Sequence, residues 1–110
     1  MALIDNLSPA AETLRAWASE KPFVRRVWIY GSRAKGTPKP DSDLDVALEI
    51  DPVGNDEDSY TSFVHEAEGW RAELRPQLEY QLHLKWYDAS NAPVREGVNS
   101  AGILVYERAT

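Results

Sequence analysis

Apolar positions along this chain switch period from element to element. Between Asn6 and Pro22, the residues Ala10, Leu14, Trp17 and Ala18 share one helical face. Ser8 can cap that run, Pro9 suits its first turn and Pro22 closes it, so a helix is predicted there. The stretch "VRRVWIYG" instead holds a continuous apolar run from Val27 to Tyr30 that stops at Gly31, which is how a buried central strand reads. In "LDVALEI", Leu44, Val46, Leu48 and Ile50 alternate with Asp45, Ala47 and Glu49, predicting a second strand with two different faces. Helical spacing returns over 58–74, where Tyr60, Phe63, Val64, Ala67 and Trp70 recur with charges between them. "LEYQLHLKWY" then alternates from Leu78 through Tyr80, Leu82 and Leu84 to Trp86, against Glu79, Gln81, His83 and Lys85. A short helix over 92–100 and an apolar strand, "ILVYE", end the order. The expected fold is α/β (α+β), a small mixed β-sheet with helices packed mainly on one face.

Composition narrows what such a fold can do. With 110 residues, 43% of them hydrophobic, and four Trp, the chain has the core of one domain, so 1–110 is expected to be a single domain with one site. No run approaches the roughly 18 apolar residues of a membrane span. The N-terminus lacks a charged region followed by an apolar one, so a cytoplasmic protein without membrane contact is expected. The absence of Cys excludes disulfides, thiolate metal sites and cysteine nucleophiles, so any catalytic metal must be held by oxygens. A net charge of −6 argues against general affinity for nucleic acid but leaves a small phosphorylated substrate open.

The chemistry concentrates in "GSRAKGTPKPDSDLD", residues 31–45. Gly31 stands where the buried strand ends and lets the backbone turn sharply. The amides of Gly31 and Ser32 can then face a phosphate. Asp43 and Asp45 lie two apart at the start of the next strand, so the period of two aims both carboxylates to one side of the sheet. Two carboxylates plus substrate phosphates form the usual surroundings of Mg²⁺. Arg33 and Lys35 read equally well as surface charge or as phosphate contacts. Residues Asp56, Glu57 and Asp58 read as a loop that supplies the next helix start, and His65 as a surface or boundary histidine.

On these residues the chain resembles the nucleotidyltransferases of the DNA polymerase beta superfamily, and within it the minimal nucleotidyltransferases. The shared pattern is an apolar strand, Gly31-Ser32, ten residues, then Asp43-Leu44-Asp45 and a further apolar strand, with "GSRAKG" and "SDLDVAL" matching inside it. The resemblance implies transfer of a nucleoside monophosphate, AMP from ATP, with Mg²⁺ or Mn²⁺ held by Asp43 and Asp45. Gly31, Ser32, Arg33, Lys35 and Ser42 would bind the nucleotide. Relatives add a third carboxylate from a neighbouring strand. Here the matching position is His83, with Glu79 the one carboxylate predicted on that face. The resemblance also implies a partner, a small all-helical HEPN-type protein of a toxin–antitoxin pair. The alternative is a catalytically weakened module of the same fold that neutralises its partner by contact. A homo-oligomer is compatible with either.

Overall fold

A computed structural model describes residues 7–36 and 43–109 of the chain. In chain order the elements are α1 (Ser8–Ser19), β1 (Val24–Tyr30), α2 (Ser32–Lys35), β2 (Leu44–Ile50), α3 (Ser59–Leu74), β3 (Leu82–Trp86), α4 (Ala92–Ala101) and β4 (Ile103–Glu107), with a 3₁₀ turn at Arg75–Gln77. Ser8 is the first helical residue of α1 rather than its cap. Leu7 takes the cap position, and its carbonyl accepts the Ala11 amide at 2.8 Å. α3 is capped as its sequence suggests, by the Asp58 carboxylate accepting the Thr61 amide at 2.8 Å. The preceding acidic loop is fastened to that helix. Buried Ser62 accepts the Val53 amide and donates to Asp56, both at 2.7 Å.

The four strands form one mixed sheet in the order β3-β2-β1-β4. β1 runs antiparallel to both β2 and β4, while β2 and β3 run parallel, joined through α3. β1 and β2 are therefore central, and their alternate residues Val27, Ile29, Leu44, Val46 and Leu48 are fully buried. That face packs on α1 and α3 through Leu14, Trp17, Phe63, Trp70 and Leu74. Phe23 stacks on Trp70 at 5.0 Å, and the indole N–H of Trp17 donates to Glu73 at 2.8 Å, tying the two helices together.

The opposite face is covered only in part. Val94 and Val98 of α4 close over Ala47, with Trp28, Tyr30 and Tyr87 around them. Ala47, which shares its strand face with Asp45 and Glu49, is consequently as buried as the core residues. Among the described residues most helical packing lies on one face, and α4 is the helix on the other, packed over Ala47.

The long alternation after α3 is only partly strand. β3 begins at Leu82, whereas Leu78 to Gln81 form no strand. Pro76 sits in the 3₁₀ turn that ends α3, and a proline has no amide to give a ladder. No helix among the described residues is long and apolar enough to cross a membrane.

Candidate functional site

Strand pairing builds the site before any side chain is considered. Tyr30 of β1 pairs with Asp45 of β2, which pairs with His83 of β3, making one row across three strands. Paired residues project from the same face, and Asp43, two positions before Asp45, shares it. The Nδ1 atom of His83 lies 3.2 Å from Asp45 Oδ1 and 3.8 Å from Asp43 Oδ2. Both carboxylates thus converge on one point, reached by the imidazole from the next strand. The contact with Asp45 is a hydrogen bond when Nδ1 carries the proton, with the carboxylate accepting.

Gly31 closes the row from the side of β1. Its φ of 81° and ψ of −158° fall in a region essentially reserved to glycine. A Cβ placed there would also collide with Asp45 Oδ2 and stand 3.1 Å from its Cγ. The turn and the carboxylate therefore fit only because residue 31 has no side chain. The chain then winds one helical turn, with the Lys35 amide donating to the Gly31 carbonyl at 3.1 Å and the Gly36 amide to the Arg33 carbonyl at 3.2 Å.

The remaining sequence-derived positions divide. Ser32 is half-buried at the head of α2, and Lys35 is exposed at its end. Arg33 is only 7% exposed, and its guanidinium lies 4.3 Å from the ring centroid of Tyr80. Ser42 lies outside the described residues. Glu79 is not on β3 and does not join the row. It lines a cavity of about 180 Å³ together with Pro9, Ala10, Thr13, Leu78 and Tyr80. Sequence reasoning missed Tyr30. Burial, with the negative charge of Asp45 adding to it, pushes the Tyr30 phenol up to about 12, so it stands beside the carboxylate as a neutral hydroxyl. Its pairing with Asp45 was the signal, visible once β1 and β2 are set antiparallel.

Asp43 and Asp45 suit a hard cation that takes one or two carboxylates and completes its shell with phosphate and water. Although His83 adjoins both, no three His, Asp or Glu side chains among the described residues are spaced to hold one ion. Asp43 and Asp45 could therefore supply two oxygen ligands to such an ion.

A glycine turn leaving one strand of a mixed sheet, with Asp-x-Asp opening the antiparallel neighbour, defines a nucleotidyltransferase-fold domain. Residues 12–110 match the family model described as polymerase beta, nucleotidyltransferase, and the chain belongs to that family. Among solved structures it is similar to a toxin–antitoxin structure with AMP-PNP, at 16% identity and a TM-score of 0.60, covering 89% of this chain and 73% of that one. A mutant form of the toxin–antitoxin pair MntA–HpeT aligns at 15% identity and a TM-score of 0.58, covering 94% and 75%. A candidate nucleotidyltransferase from Sulfolobus solfataricus aligns at 19% identity and a TM-score of 0.54, covering 93% and 80%. No curated protein matches the chain.

Proposed function

We propose that this protein is a Mg²⁺-dependent nucleotidyltransferase that transfers AMP from ATP to an acceptor on a partner protein, as the antitoxin of a pair with a small all-helical HEPN-type toxin. The observation that carries the reading is the convergence of Asp43 and Asp45 beside the Gly31 turn, with both carboxylates within 4 Å of one ring nitrogen. A divalent ion bound there supplies charge neutralisation for a triphosphate. Gly31 and Ser32 hold the β- and γ-phosphates through the turn, and the exposed Lys35 adds positive charge beside them. The acceptor hydroxyl attacks the α-phosphorus in line. A new P–O bond forms, the bond to the β-phosphate oxygen breaks, and pyrophosphate leaves. With Nδ1 of His83 donating to Asp45, Nε2 is the nitrogen left to take the acceptor's proton. The adenine nucleotide and the protein partner are supported by neighbours solved as toxin–antitoxin structures, one of them with AMP-PNP.

A second reading, a weakened module acting by contact, is favoured by one observation. Among the described residues no third carboxylate joins Asp43 and Asp45, and an imidazole is a poorer partner for Mg²⁺ than an acidic oxygen. Both readings require a protein partner, and only the first requires turnover.

Calorimetry of ATP binding with and without Mg²⁺ tests the site they share. Wild type should bind ATP in a Mg²⁺-dependent manner, and Asp43→Asn with Asp45→Asn should abolish that dependence. Equal, metal-independent binding by wild type and the double variant would remove the active-site argument.

A further inference from the structure

We propose that Arg33 is a positioning residue: its guanidinium stacks on Tyr80 and holds the Gly31–Gly36 turn against the segment leading into β3, instead of meeting the phosphates. Its functional consequence rests on the nucleotidyltransferase reading above.

A basic residue directly after Gly31-Ser32 invites assignment to the triphosphate. Its burial argues otherwise. Arg33 and Ser62 are the two buried polar or charged residues among those described, and Arg33 is 7% exposed. A side chain so enclosed cannot lie along a solvated triphosphate unless the turn opens. At 4.3 Å the guanidinium is well inside the ~6 Å reach of a cation–π contact, and burial strengthens that contact by removing competing water. Lys35, two residues on, is exposed and is the cation of this turn free to meet an anion.

The turn needs an anchor. Gly31 and Gly36 both have positive φ, and glycine loses the most conformational freedom on ordering. Within the turn the Lys35 amide donates to the Gly31 carbonyl, and the Gly36 amide to the Arg33 and Ser32 carbonyls. Ala34 packs against the main core and Arg33 against Tyr80, so side chains fix what the backbone holds loosely.

What Tyr80 is attached to gives the contact its purpose. Its neighbour Gln81 accepts the Leu44 amide at 2.8 Å, and Leu44 lies between the two carboxylates. Leu44 also pairs with Leu82 at the start of β3, one residue before His83. The path Arg33, Tyr80, Gln81, Leu44 therefore joins the glycine turn to the carboxylate pair and to the head of β3. It spans three elements through one stacking contact and one hydrogen bond. The irregular run before β3 has a cause in the same contact, since Tyr80 is turned to the guanidinium.

The test compares Arg33→Ala, Tyr80→Leu, which removes the ring but keeps apolar bulk, Tyr80→Phe, which keeps the ring, and the double variant Arg33→Ala/Tyr80→Leu. For a positioning role, Arg33→Ala and Tyr80→Leu should each weaken Mg²⁺·ATP binding by about five- to thirtyfold. Adding Arg33→Ala to Tyr80→Leu should cost less than Arg33→Ala costs in wild type, Tyr80→Phe should match wild type, and the Tyr80→Leu loss should be the same at low and high NaCl. A direct phosphate contact predicts the opposite: an Arg33→Ala loss that is the same with or without Tyr80→Leu, and a Tyr80→Leu variant that binds normally. That outcome overturns the proposal. Should Arg33→Ala fail to fold, the Tyr80→Leu and Tyr80→Phe pair carries the comparison. Should wild type bind no nucleotide, the nucleotidyltransferase reading falls, and amide exchange at Lys35 and Gly36 judges the strut. Faster exchange in Tyr80→Leu than in Tyr80→Phe supports it, and unchanged exchange overturns it.

Discussion

Gly31→Ala isolates the contact on which the site depends, the close passage of the turn against Asp45. Two costs add. The backbone at φ 81° and ψ −158° is a region where a residue with a Cβ incurs about 1–3 kcal/mol. The new methyl would also overlap Asp45 Oδ2 and lie 3.1 Å and 3.3 Å from Asp45 Cγ and Cβ. The strand beneath cannot retreat, because Asp45 is paired on both sides, with Tyr30 and His83, so the carboxylate has to rotate away. Gly54→Ala is the matched control. Its φ is 61°, but nothing lies within 4 Å of where a Cβ would stand, so it carries only the left-handed penalty of about 1–2 kcal/mol. Gly31→Ala should therefore be destabilised by about 2–4 kcal/mol, with crowding added to backbone strain. For a domain of this size that lowers Tm by roughly 10 °C or more. Urea and thermal unfolding followed by circular dichroism measure the difference, and calorimetry should show Mg²⁺·ATP binding lost in Gly31→Ala and kept in Gly54→Ala. If the two variants melt together and bind alike, the turn does not constrain Asp45 and the geometry of the site has been misjudged.

Two further outcomes are expected. His83→Asp places a third acidic oxygen in the row, so Mn²⁺ should bind at least about tenfold tighter by calorimetry. Transfer of labelled AMP to a co-purified partner or to the chain itself should rise with the tighter ion site, the proton-accepting part of the imidazole passing to the new carboxylate. Unchanged Mn²⁺ affinity would show that β3 contributes nothing to the ion site. Away from the site, the Trp17 indole and then Lys21 hold the Glu73 carboxyl below its ordinary value of 4.5. A depressed folded value means stability that is present above 4.5 and is lost as pH falls below it through the folded value. Glu73→Gln should flatten that acid limb in urea titrations between neutral and acidic pH, and an unaltered limb would mean the α1–α3 tie is not linked to proton uptake.

The readable part of this chain was the part where one physical signal acts alone. β2 alternates because its two faces meet different surroundings, and Asp43, Asp45 and the Gly31 turn follow from that period and from a glycine that needs φ > 0. β3 shows where the signal fails. Its alternation is unbroken from Leu78, yet the strand starts at Leu82, because Pro76 ends α3 in a 3₁₀ turn and Tyr80 answers to Arg33 rather than to a ladder. The period of two cannot report a contact with a residue 47 positions earlier. Glu79 left the site for that reason, while His83, past the break, arrived in it. Nothing in "GSRAKG" separates a buried arginine from an exposed lysine, and Trp28, Tyr30 and Ala47 cannot show in sequence that α4 crosses to their face.

The sheet order explains why a motif split by ten residues assembles as one site. β1 and β2 are antiparallel neighbours, so the C-terminal end of β1 and the N-terminal end of β2 must meet whatever path the connection takes. Parallel pairing of β2 with β3 then brings the N-terminal end of β3 to the same end of the sheet, and His83 with it. The spacing among Gly31, Asp45 and His83 is thus held by ladder hydrogen bonds and by a core face of fully buried Val27, Ile29, Leu44, Val46 and Leu48. Two carboxylates kept this close repel each other, and side chains on a mobile loop would swing apart to relieve the repulsion. Asp45, laddered to Tyr30 and His83 on a sheet packed from below, cannot. The ladder fixes Asp45, and Asp43 stands one position before β2 begins, so the two carboxylates come together where the strand starts.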